Sequence, residues 1–151
     1  MYIFGISQDP ITKNYIVVFD CNYFEKIFCK KCFKIYTDKN YKWCKPCEIN
    51  YLKKNFTKWT SGNKKIDSFI QERQLEVDYY DKVFEWISYN QFNDVKEIGK
   101  SYLAIAYSAV WRDGPLYYDY KDKKEWIRES DKKAILKYFS QNVIDELLNE
   151  V

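Results

Sequence analysis

The chain has 151 residues and a formal net charge of +3, with 46% hydrophobic and 20% aromatic residues. That length leaves room for one ordinary domain, or for a mini-module beside part of a larger one. Only four glycines and three prolines exclude a low-complexity chain, and the mild charge excludes a globally basic nucleic-acid binder.

The first twenty residues read as a β-hairpin. An apolar run from Tyr2 to Ile6 precedes the turn-rich Ser7-Gln8-Asp9-Pro10, and a β-branched, aromatic run follows at Tyr15–Phe19. Two Cys-x-x-Cys hooks come next, Cys29–Cys32 and Cys44–Cys47, eleven residues apart. Each hook can grip one edge of a tetrahedral metal ion, so the four thiolates specify a closed structural site, with zinc as the expected ion. The fifth cysteine, Cys21, reads as a small buried residue, with a fifth, redundant ligand as the alternative.

Between Lys26 and Lys58 ten lysines stand against Asp38 and Glu48, interleaved with aromatic residues. Four thiolates on one dication leave two negative charges, so part of this excess is local compensation. The remainder reads as a solvated face, with a basic-aromatic nucleic-acid surface as the sharper alternative.

Trp59-Thr60-Ser61-Gly62-Asn63 is a turn and helix cap, with Asn63 or Ser61 placed to satisfy free N–H groups. Residues 64–87 carry a helical period through Ile66, Ile70, Val77, Tyr80, Phe84 and Ile87. Strands are expected at Phe92–Ile98, Leu103–Trp111 and Ala134–Phe139, with a turn at Asp113-Gly114-Pro115. A helix is expected from Asn142, with Ile144, Leu147, Leu148 and Val151 on its apolar face. No stretch has the length of a transmembrane span, and Met1-Tyr2-Ile3-Phe4 lacks the features of a signal peptide. The chain therefore reads as cytoplasmic, with reduced thiols available for metal.

Strand, turn, strand, a strand ending in lysine, then a helix with a glutamate: this order resembles a protein-kinase N-lobe. Ile98-Gly99-Lys100-Ser101-Tyr102-Leu103-Ala104-Ile105-Ala106 resembles the glycine-rich loop, and Ala134-Ile135-Leu136-Lys137 resembles the lysine strand. Leu147-Leu148-Asn149-Glu150-Val151 resembles the helix that supplies the lysine's partner. The cysteine pairs, Trp59–Asn63, Ile66-Asp67-Ser68-Phe69-Ile70 and Glu85-Trp86-Ile87 are similar to a large fungal family of tyrosine-kinase-like kinases. There a cysteine-rich segment and a helix precede the catalytic domain.

The resemblance implies an α+β chain in four parts: a hairpin over 1–24 similar to the fourth and fifth N-lobe strands, a four-cysteine zinc module over 25–60, a helical linker over 61–91, and a truncated N-lobe-like sheet with the start of the Glu-bearing helix over 92–151. The hairpin departs from the family order, in which those strands follow the helix. It reads as a remnant of an upstream copy, with a permuted lobe pairing Tyr15–Phe19 against Ala134–Phe139 as the alternative.

By resemblance the nucleotide site comprises Gly99, Ser101, Ala104, Ala106, Ile135, Lys137 and Glu150. It is degenerate. Ser101 and Ala104 stand where the family has glycines that let backbone approach phosphate, Ala106 replaces the valine over adenine, and Ile135 is bulkier than the family's alanine. The chain has no histidine and therefore no His-Arg-Asp element. The expectation is a non-catalytic, pseudokinase-like scaffold or remnant with no catalytic residues, leaving ATP and magnesium in doubt. Its partner would be another protein or a kinase C-lobe, with no membrane and no nucleic acid. Two alternatives stay open: an N-terminal piece of an active Ser/Thr/Tyr kinase whose C-lobe lies beyond Val151, and a zinc-ribbon nucleic-acid binder using Lys30, Lys31 and Lys34.

Overall fold

The computed structural model describes residues 2–149 and is a mixed α+β structure with small antiparallel sheets and four α-helices among those residues. The chain divides into two compact units between Glu48 and Ile49. None of these helices is long and apolar enough to cross a membrane.

In the first unit, strands β1 (Ile3–Gln8) and β2 (Tyr15–Phe19) form the expected hairpin, pairing Ile6 with Val17 and Gln8 with Tyr15. Asp9 shapes the turn: its carboxylate accepts the N–H groups of Ile11 at 2.7 Å and Thr12 at 3.0 Å. The Asp20 carboxylate accepts the Tyr23 N–H at 3.0 Å and so caps helix α1 (Cys21–Ile27). Cys21 is exposed at the first position of that helix, not buried as its size suggested; it is Phe24 and Phe28 whose rings lie tilted and edge-on against Phe19 of β2.

Helix α2 (Lys45–Asn55) and a 3-10 turn (Phe56–Lys58) lead to helix α3 (Lys64–Leu75). Asn63 is the cap, its side chain accepting from Lys65 N at 2.9 Å and Ile66 N at 3.5 Å. Asp67 gathers the preceding turn onto the helix by accepting from Ser61, through hydroxyl and backbone N–H, and from the Thr60 hydroxyl. Those bonds hold its carboxyl below the usual range.

The expected helix over 64–87 stops twelve residues early, at Leu75. Val77 carries the right period, yet it buries with Val83 and Leu52 as a small core that Ile49, Leu116 and Trp126 close over. Two tertiary bonds hold the segment off the helix. Val83 donates its N–H to Leu116 O at 2.8 Å, and the buried Gln74 side chain donates to Phe84 O at 2.8 Å. A backbone N–H engaged with a neighbouring strand is lost to the i−4 ladder.

The second unit holds two further sheets. Strands β3 (Phe92–Lys100), β4 (Ile105–Trp111) and β7 (Lys132–Tyr138) form an antiparallel sheet in the order β3-β4-β7. Helix α4 (Gln141–Asn149) follows. The permuted pairing of Tyr15–Phe19 with Ala134–Phe139 does not occur among the described residues: β2 pairs with β1, and β7 with β4. Between β4 and β7 a short hairpin, β5 (Leu116–Tyr118) and β6 (Trp126–Arg128), forms where the sequence offered only the turn at Asp113-Gly114-Pro115. Arg128 fixes it by a two-pronged bond to Glu85, at 2.6 and 3.1 Å, and a third bond to Gly114 O at 2.8 Å.

Gly114 turns the chain into this hairpin at φ +69°, and a Cβ there would lie 1.7 Å from Glu129 O. Gly114→Ala combines a left-handed backbone with a direct clash. It should lower unfolding free energy by about 3 kcal/mol or more, read as a fall in the urea midpoint.

Candidate metal centre

The first hook is built by backbone geometry. Phe28 and Ile35 bridge antiparallel, Cys29 donates its N–H to Lys34 O at 2.7 Å, and Phe33 donates back to Cys29 O at 2.8 Å. Closing so tight a turn puts Phe33 at φ +59°, a left-handed conformation that costs a non-glycine residue about 1–2 kcal/mol. In return the turn aims N–H groups at sulfur: Lys31 N lies 3.4 Å from Cys29 Sγ, and the Lys34 N–H bonds Cys32.

The second hook opens a helix. A small hairpin, with Asp38 and Trp43 exchanging both backbone bonds, delivers Cys44 to the residue before α2 and Cys47 to its first turn. Pro46 suits that turn, where its missing N–H has no partner to lose. The Cys47 N–H bonds Cys44 Sγ, and Lys45 N donates to Thr37 Oγ1 at 2.9 Å. Free N–H groups and the positive end of the helix thus face the sulfurs.

The four sulfurs of Cys29, Cys32, Cys44 and Cys47 all lie within 4.8 Å of one another, with Cys32–Cys44 at 3.6 Å and Cys29–Cys47 at 3.9 Å. Cys29, Cys44 and Tyr36 form a small buried cluster with Cys32 and Cys47 packed on it, and Trp43 beside the second hook is wholly buried. Four cysteines so arranged can hold one metal ion. Cys21 stands outside the group.

The thiols have unequal acidities. The Lys34 N–H pulls Cys32 down to about 7 against a burial penalty, with the other three thiols adding to the pull. Burial first, and then bonds to the neighbouring sulfurs, push Cys47 well above the usual thiol range, and burial raises Cys44. Tyr36 is raised by burial and by the nearby Cys29. Without a cation the cluster therefore holds its first negative charge at Cys32 and keeps its protons at Cys44 and Cys47.

Sequence reasoning missed the layer behind the sulfurs. Glu48, next to Cys47, is only 3% exposed, and its carboxylate accepts from Lys31 Nζ at 2.6 Å. Burial disfavours the Lys31 ammonium, but Glu48, with Cys47 and Cys29 adding to it, outweighs that and raises its pKa. The signal was adjacency: one partner lies inside a hook and the other flanks one. Lys30 pairs with Glu25 at 3.3 Å across open solvent, a contact worth well under about 1 kcal/mol.

The residues that resemble a nucleotide site fall on the β3-β4-β7 sheet. Gly99 pairs with Ala106, and Ala106 with Lys137, while Ser108 pairs with Ile135. Alternation then places Gly99, Ala106, Ile135 and Lys137 on one face. Ser101 and Ala104 form the β3–β4 turn, where the Ser101 hydroxyl accepts the Leu103 and Ala104 N–H groups at 3.3 and 3.2 Å. Ile135 is 59% exposed, beside a shallow cavity of 390 Å³ lined also by Asp94, Lys96, Ser108 and Lys133. Lys137 makes no ion pair among the described residues, and Glu150 lies outside them. Comparison with known proteins gives no matching family model, no matching curated protein and no matching solved structure.

Metal uptake must displace the protons held by Cys44 and Cys47. Acidification therefore favours the empty, protonated cluster. Apparent metal affinity should fall steeply between about pH 8 and pH 6, and protons released per ion should rise over the same interval. A chelator-competition titration in weak buffer reads both.

Proposed function

We propose that the chain is a non-catalytic interaction module, related to protein kinases, whose four cysteines hold one structural zinc ion. One observation carries the zinc reading. A zinc–sulfur bond of about 2.3 Å places the corners of a tetrahedron about 3.8 Å apart, and the two sulfur pairs at 3.6 and 3.9 Å bracket that spacing. Four thiolates close the coordination shell, so such an ion staples the hooks and leaves no position for water or substrate.

The kinase relationship is supported by element order, hairpin, lysine strand and then helix, and by the shared face of Gly99, Ala106, Ile135 and Lys137. The same face argues against phosphoryl transfer. Two N–H groups of the turn that would cover phosphate are engaged by Ser101, and an isoleucine stands two residues before the lysine, on its side of the sheet. Of the three lysines of the nucleic-acid alternative, Lys31 is engaged by the buried Glu48 carboxylate at 2.6 Å, which weakens that reading for this residue.

The purified chain should carry one zinc by elemental analysis, and Cys44→Ser should abolish it and lower thermal stability. A chain that takes up no zinc, or cobalt in its place, defeats this reading. ATP with magnesium should leave the melting temperature unchanged, and radiolabelled ATP should yield no phosphate transfer. Measurable transfer by the isolated chain would remove the non-catalytic assignment.

A further inference from the structure

The buried Glu48 carboxylate requires an explanation that the metal ligands do not give. An isolated carboxylate taken out of water is strongly penalised unless a cation accompanies it. Here the cation is Lys31, at 2.6 Å, and it comes from inside the other hook. Lys31 lies between Cys29 and Cys32, while Glu48 directly follows Cys47. The pair therefore crosses from hook to hook, as the Cys29–Cys47 sulfur contact does at 3.9 Å. The Lys31 backbone is also directed at the cluster, its N–H reaching Cys29 Sγ. A surface ion pair does not usually have one partner almost wholly buried and the other threaded through a ligand hook.

We propose that Lys31 and Glu48 are positioning residues for the metal centre: Glu48 anchors the Lys31 ammonium beside the sulfurs, where it offsets the negative charge of a four-thiolate ion and ties the two hooks together. This rests on the metal-binding reading above. Four thiolates on a divalent cation carry two surplus negative charges, and a fixed cation nearby lowers the energy of that state more than it lowers the neutral, protonated one. Outer groups that orient or charge-balance ligands typically govern metal affinity by 10- to 100-fold. The same ammonium makes the bound sulfurs poorer nucleophiles.

The test compares the full chain with Lys31→Arg, Glu48→Gln and the double variant Lys31→Met/Glu48→Gln, which leaves no buried charge uncompensated. Zinc affinity is measured by chelator competition. Cobalt(II) spectra report whether a four-sulfur tetrahedral site persists. Alkylation of the zinc-loaded protein by iodoacetamide reports the charge on the bound sulfurs, since each sulfur that forms a bond to carbon expels iodide.

The expected result is a roughly 10- to 100-fold weaker affinity and several-fold faster alkylation in the double variant, with an unchanged cobalt spectrum. Glu48→Gln should lie between, and Lys31→Arg should stay near the original chain. A merely structural pair would not accelerate alkylation while the cobalt spectrum stayed fixed. The proposal is overturned if the double variant binds and reacts like the original. It is equally overturned if Lys31→Arg is as impaired as the double variant. An original chain that binds neither zinc nor cobalt would instead show that the metal centre itself is misassigned.

Discussion

Four sulfurs within 4.8 Å of one another cannot all be ionised without a cation among them. At about 4 Å, two like charges at an effective dielectric near 20 repel by roughly 4 kcal/mol. The first unit answers that constraint with the means a small module has. Backbone N–H groups point at Cys29, Cys32 and Cys44, a helix begins at the second hook, and the Cys44 and Cys47 thiols are held above the usual range. Its buried residues, Tyr36 and Trp43, belong to the same neighbourhood, so this unit's interior is largely the surroundings of the sulfurs. A unit this small has little apolar surface to bury, and four cysteines that could hold an ion stand at its centre.

The second unit is held differently. Its buried cluster centres on Leu52, Val77 and Val83, supplemented by the Arg128–Glu85 fork and by Glu129 between Lys82 and Lys132. The glutamate pairs at Glu129 are exposed and contribute little each, whereas the two-pronged fork also fixes direction. The three-stranded sheet presents a mostly open face, with lysines at three of its positions and a turn that satisfies its own backbone groups.

Much of the local structure could be read directly. Paired Cys-x-x-Cys spacing predicted the metal cluster, β-branched alternation located the first hairpin and the three long strands, and Asn63 was recognisable as a cap. The errors share one cause, tertiary contacts that local patterns do not encode. Val77 kept helical spacing but was recruited, with Val83, into a core beside a strand formed more than thirty residues later. The β5–β6 hairpin was hidden by its brevity, three residues a side, and by the lysines of its turn. Cys21 looked like core by composition, but its place at a helix start put it in solvent. Lys31 was read as solvated or, with Lys30 and Lys34, as a nucleic-acid contact, since nothing local shows that it reaches a carboxylate seventeen positions away.

A chain without histidine lacks the side chain that normally answers to pH near neutrality. Among the described residues that responsibility passes to Cys32, which titrates near 7 only while its sulfur is free. Capture of an ion removes even this group from solution equilibrium. The loaded molecule would then keep only its α-amino group as an ordinary titrating site near neutrality, whereas the stripped one would add the Cys32 thiol.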